Sequence, residues 1–157
     1  MKILVVYYSR SGRTEKVAQQ IARLLGGELE KINDNRNRLG FLGYLGAGRD
    51  ALFRKITDIR AVRYDPTLYD LVIIGSPVWV MTVSTPIRTY LIQFQDRLKR
   101  TAFFCTYGGM GSGSALKAMA DLCQKEPVAT LTVQQALVDK GGYLEKVKGF
   151  AQKVQPL

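Results

Sequence analysis

The sequence predicts an α/β fold in which a parallel β-sheet is covered by helices on both faces. Short apolar runs rich in β-branched and aromatic residues recur along it, KILVVYY (2–8) being the first, and such runs suit strands buried on both sides. Segments with apolar residues at helical spacing alternate with these runs, the pattern of strand–helix–strand crossovers. The length of 157 residues fits one domain, 1–157, with a single core.

Each element follows in turn. After the first strand, apolar Val17, Ala18, Ile21, Leu24 and Leu25 mark one face of a helix beginning at Thr14, and Gly26-Gly27 ends it. ELEKI (28–32) alternates polar with apolar residues and predicts a strand near the sheet edge. Residues 33–65 are glycine-rich and charged, and predict an irregular excursion with one short helix near 47–55. Order returns with YDLVIIGSPVW (69–79), an apolar strand ending in Gly75-Ser76-Pro77, with Trp79 just beyond the strand end on a loop. A helix over 84–98 takes Ser84 or Thr85 as N-cap and Pro86 in its first turn. TAFFCTY (101–107) is the next strand, 115–125 a helix, VATLTV (128–133) the last strand and 143–154 the closing helix.

Charge and composition bound the function. The chain carries 23 Lys and Arg against 13 Asp and Glu, a net charge of +10 that favours anionic partners without choosing among them. Half of it lies in residues 31–63, where eight basic residues face three acidic ones. No apolar run approaches the roughly 18 residues of a membrane span, and the N-terminal run is too short for a secretory signal. Cys105 and Cys123 have neither CxxC nor zinc-ligand spacing and read as buried thiols in a reducing compartment, so a cytoplasmic location is expected. There is no histidine. That absence removes Ser-His-Asp and Cys-His catalysis, HExxH zinc sites and any imidazole base, and leaves other side chains, the backbone or a cofactor.

In parallel sheets of this kind, ligands bind at the carboxyl ends of the strands. Three loops fall there: 9–14, 76–85 and 106–114. In the first, Gly12 permits a tight turn that aims unpaired helix-start N–H groups inward, and Ser9, Ser11 and Thr14 add hydroxyls. These residues suit either a receptor for one phosphate group or an ordinary capped turn. The second loop holds Trp79, the sole tryptophan, fitted either to stack on a flat ring or to pack over the core. The third offers Tyr107, with Gly108 and Gly109 allowing close backbone approach to a ligand, or else forms a plain connection. GxxxxGK[ST], GxGxxG, C-x5-R from Cys105 and the acidic residues of a receiver domain are all absent. Taken together, the loops describe a monophosphate joined to a planar ring with a polar edge.

In YYSRSGRTEKVA, IIGSPVWV…STPIRTYL and FFCTYGGMGSG the chain resembles the flavodoxin-like FMN-binding family over nearly its whole length. The resemblance implies a five-stranded parallel sheet in the order 2-1-3-4-5 between two helical layers, with FMN as cofactor. It implies that Ser9, Arg10, Ser11, Gly12, Arg13 and Thr14 hold the FMN phosphate, with Arg10 and Arg13 free to point outward. Pro77, Val78, Trp79 and Val80 would flank the isoalloxazine, and Thr106, Tyr107, Gly108 and Gly109 would bind its pyrimidine edge. Val80 and Met81 stand where related proteins often have glycine after the tryptophan. Many electron-carrier flavodoxins are acidic, whereas this chain is basic. The implied function is a redox protein, either an electron carrier for an acidic partner or a small reductase linked to NAD(P)H or a quinone. In the second case Arg36, Arg38 or Arg49 would steer an anionic substrate, or else form an ordinary solvated face. No catalytic side chain and no metal ligand is assigned. The alternatives are a basic nucleic-acid-binding α/β domain, for which RLKR (97–100) is the only dense basic run, and a flavodoxin-fold scaffold without cofactor.

Overall fold

The computed structural model describes residues 1–34 and 57–155, and elements are numbered in chain order within them. β1 (Ile3–Tyr7) leads to α1 (Arg13–Leu25) and β2 (Glu28–Lys31). β3 (Leu71–Trp79) turns into the two-residue β4 (Thr82–Val83), followed by α2 (Thr85–Phe94) and β5 (Thr101–Tyr107). Then come α3 (Ser112–Cys123), β6 (Thr130–Gln134), α4 (Gln135–Asp139) and α5 (Leu144–Val154). The helix expected near 47–55, and Arg36, Arg38 and Arg49, lie outside the described residues.

The parallel strands run β2-β1-β3-β5-β6, the expected order once the short antiparallel β4, which pairs only with β3, is set aside. Alternation along β1 explains its unbroken apolar run. Ile3, Val5 and Tyr7 pack with Val17, Ile21 and Phe150 of α1 and α5, whereas Leu4, Val6 and Tyr8 pack with Ile87, Leu91 and Met119 of α2 and α3. The sheet therefore has two cores, one on each face. On the central pair, Gly75 stands opposite Phe104, and a Cβ there would come within 1.9 Å of the ring. The glycine is the space that the phenylalanine fills.

Several boundaries differ from the sequence reading, and one helix is new. α3 begins at Ser112 instead of 115, because Gly111 at φ 94° acts as a left-handed N-cap and the following Gly-Ser residues enter the helix. α2 ends at Phe94, and Gln95–Arg97 continues as a 3-10 turn. α4 was not anticipated, since five residues are too few to show a period.

The edge strand is covered. Asp34 and Ile59 form an antiparallel bridge, and buried Glu30 accepts the N–H groups of Arg63 at 2.9 Å and Tyr64 at 2.8 Å. A returning stretch of chain thus lies along β2 and shields groups that would otherwise invite another strand. Nearby, Thr57 is held at both backbone groups by the buried Thr89 hydroxyl of α2, each at 3.0 Å.

Candidate functional site

The three loops meet at the carboxyl edge of the sheet, where each is tied to the other two. The first leaves β1 after Tyr8 and enters α1 at Arg13. Gly12 caps the helix at φ 91° with no side-chain hydrogen bond, leaving the first-turn N–H groups directed out of the helix end. The Ser9 hydroxyl accepts the Gly12 N–H at 3.0 Å and so shapes the turn from within. Ser11 is exposed, and Arg10 and Gly12 are half-buried. The Arg13 guanidinium forks onto Asp139 of α4 at 2.9 and 3.0 Å, so its charge is engaged in an ion pair. That pair holds the Asp139 carboxyl below its ordinary range.

Thr14 is buried, and its hydroxyl lies 2.8 Å from that of Thr106 on β5. One hydroxyl hydrogen bridges the pair, leaving the other for a further acceptor. This bond joins the first loop to the third.

The second loop is a β-hairpin. The strand continues through Pro77 and Val78 to Trp79, and Val78 and Trp79 pair with Val83 and Thr82. The expectation that Trp79 lies on a loop is corrected here. A two-residue turn returns the chain immediately and extends β3 to include it. Both turn residues have positive φ, Val80 at 47° and Met81 at 66°. A turn of this hand normally recruits Asn-Gly, and a β-branched residue there is strained by roughly 1–3 kcal/mol. The buried Ser76 hydroxyl lies 2.8 Å from the Pro77 carbonyl and 2.9 Å from Ser84 Oγ, and accepts the Ser84 N–H at 2.9 Å. Ser84 is indeed the N-cap of α2, but its side chain serves this cross-tie and makes no capping bond.

Trp79 is only 6% exposed and meets Tyr8 edge-on, with ring centroids 5.3 Å apart at 89°. That contact joins the second loop to the first. The third loop spans Gly108 to Gly111, after the half-buried Tyr107 ends β5. Open space surrounds the Cβ position of Gly109, and Gln134 Nε2 donates to the Gly108 carbonyl at 3.1 Å. Gly111 seats against the hairpin: a Cβ there would lie 2.9 Å from Met81 Cα and 3.0 Å from Val78 Cγ1. This is the tie between second and third loops.

Of the residues singled out, Ser9–Thr14, Pro77–Val80 and Tyr107–Gly109 lie in these loops or at their strand ends, and Thr106 sits beneath them on β5. Sequence reasoning missed Tyr8, Asp139 and Gly111. Tyr8 was legible in principle, since alternation along β1 places it on the face of Leu4 and Val6. Cys105 is fully buried, and burial pushes its thiol up to about 12, removing it as a nucleophile at neutral pH. No cluster of metal-ligating side chains occurs among the described residues, nor any helix long and apolar enough to cross a membrane.

No protein-family model and no curated protein matches the chain. Solved structures do. A flavoprotein from Lactobacillus acidophilus NCFM, crystallised in complex with FMN, is 27% identical, with a TM-score of 0.70 over 88% of this chain and 97% of that one. The apo form of the flavoprotein from the same organism, solved by NMR, is 26% identical at a TM-score of 0.66, over 88% and 95% of the two chains. Oxidised flavodoxin 1 from Bacillus cereus is 18% identical at 0.59, covering 100% of this chain and 99% of its own.

Proposed function

Taking the chain as the flavodoxin-like protein that its fold makes it, we propose that it binds FMN at the three loops and works as a cytoplasmic redox protein. The observation that carries this reading is the mutual tying of those loops. Thr14–Thr106, Tyr8–Trp79 and Gly111–Met81 fix three separate segments around one place. Likeness to a flavoprotein holding FMN supports it.

The residues present suit FMN. The N–H groups after Gly12 would receive the phosphate, helped by the exposed Ser11 hydroxyl and the hydroxyl hydrogen that the threonine pair leaves over. Arg13 acts at one remove: by gripping Asp139 it orients the first turn of α1. Pro77, Val78, Trp79 and Val80 would border the ring system, with the Trp79–Tyr8 contact fixing the indole edge. The backbone of Gly108 and Gly109 would reach the polar ring edge across the space that Gly109 leaves open. When bound, FMN supplies one- or two-electron transfer, and the chain supplies binding, orientation and electrostatics. A net charge of +10 suits an acidic protein partner or a small anionic substrate.

The direct test is FMN titration of flavin-free protein, monitored through the only tryptophan. Saturable quenching of Trp79 emission with a yellow complex is expected, and unchanged emission at saturating FMN would remove the ring from this place. Carrying electrons and acting as a reductase share the same bound flavin. NADH and NADPH oxidation with quinone acceptors separates them, because turnover without a protein partner marks a reductase.

A further inference from the structure

A second polar site lies beyond the edge strand. The returning chain is fastened to β2 at two places: Arg60 N–H donates to the Asn33 carbonyl at 2.8 Å, and Glu30 takes the N–H groups of Arg63 and Tyr64. Between these fastenings the two segments part around a cavity of about 360 Å³, walled among others by Tyr7, Lys31, Asn33, Arg60 and Arg63. That volume falls within the usual range for small-ligand pockets, about 300–1,000 Å³. The Ile32 N–H donates to the Tyr7 carbonyl at 2.8 Å, which puts the cavity at the carboxyl ends of β1 and β2.

The charge of the cleft depends on which groups are already engaged. Glu30, 7% exposed, commits one carboxylate oxygen to two backbone donors. Lys31 shares its ammonium with Glu15 at 3.3 Å, and Glu15 also accepts the Tyr7 hydroxyl at 2.8 Å. Arg60 and Arg63 make no ion pair among the described residues, the Arg63 guanidinium lying 5.5 Å from the Tyr64 ring. Two exposed arginines therefore stand among the residues lining the cavity, beside Glu30, one of whose oxygens is already engaged, and Lys31, which is shared with Glu15. Guanidinium presents planar, paired donors, is weakly hydrated and matches phosphate oxygens two at a time. Because hydrogen bonds fix the walls at both ends, a ligand entering would have little backbone to order.

We propose that this cleft is an anion site for a small phosphate-bearing molecule, separate from the loop at Ser9–Thr14. It stands whether or not the flavin reading does. The test is calorimetric titration with inorganic pyrophosphate at low ionic strength, on flavin-free protein and on protein saturated with FMN. The Arg60 and Arg63 Nε–H signals are followed by NMR in parallel. Pyrophosphate should bind with FMN in place and shift both signals. R60Q/R63Q should weaken that binding at least about tenfold, which is about 1.4 kcal/mol. R23Q, on α1, should leave it unchanged. No pyrophosphate binding, binding abolished by FMN, unmoved arginine signals, or equal affinity in R60Q/R63Q would each overturn the proposal. A protein that refuses FMN yet binds pyrophosphate through these arginines would sink the flavin reading and leave this site standing.

Discussion

Thr14→Val removes one hydroxyl from a buried pair while keeping the side chain's shape, so its two consequences can be separated. The first concerns stability. Thr106 is 1% exposed and its Oγ1 has the Thr14 hydroxyl as its hydrogen-bond partner at 2.8 Å. Stranding a buried hydroxyl costs about 1–3 kcal/mol, and removing both members of such a pair is nearly neutral. Urea unfolding of flavin-free Thr14→Val should show that loss, and Thr14→Val/Thr106→Val should recover most of it. The second consequence concerns the ligand. A hydrogen bond to a charged phosphate is worth about 1.5–3 kcal/mol, so FMN affinity should fall roughly 10- to 150-fold in both variants. Riboflavin, which lacks the phosphate, should hold its affinity within about twofold. Fluorescence titration with the two flavins measures the difference. Equal losses for both, or FMN affinity returning in the double variant, would refute the claim that this pair faces a phosphate.

Other outcomes follow from the same geometry. Gly111→Ala places a Cβ 2.9 Å from Met81 Cα at a left-handed residue, whereas Gly113 in α3 has nothing within 4 Å. The first should destabilise by roughly 2–5 kcal/mol and weaken FMN, and the second should stabilise by about 0.5–1 kcal/mol, both read by urea unfolding. Replacing Val80-Met81 with Asn-Gly relieves two strained residues and should add roughly 1–3 kcal/mol; unchanged stability would show the turn to be relaxed as it stands. The Asp139 carboxyl is held below 3.8 by Arg13, so the tie adds stability above that pH and loses it as pH falls through the lower folded value. An acid titration of Asp139→Asn should therefore converge with wild type at the acid end and diverge from it toward neutrality.

Much of the candidate site was legible because its signals are local. An apolar run ending in SRSGRT announces a strand, a tight turn and a helix start within a dozen residues, and backbone chemistry alone makes that junction attractive to an anion. Trp79 was harder. Its place depends on the turn at Val80-Met81, which no propensity favours. The reading that put it on a loop failed because the pairing of Thr82 with Trp79 holds an unfavourable turn in place.

By itself, the sequence determined the alternation of strands and helices, the buried character of the central strands and the three loops at one edge. Periodicity and turn chemistry act between near neighbours and are written in the order of residues. Only the tertiary structure decided what those loops touch. Thr14 and Thr106 are 92 positions apart, Arg13 and Asp139 126 apart, and Gly111 meets a hairpin from another strand. Such contacts depend on sheet order and register, which bring together residues that no local pattern relates. The cleft at Arg60 and Arg63 has the same origin, since it exists only where a returning segment is fastened to the edge strand at two places and parts from it between them.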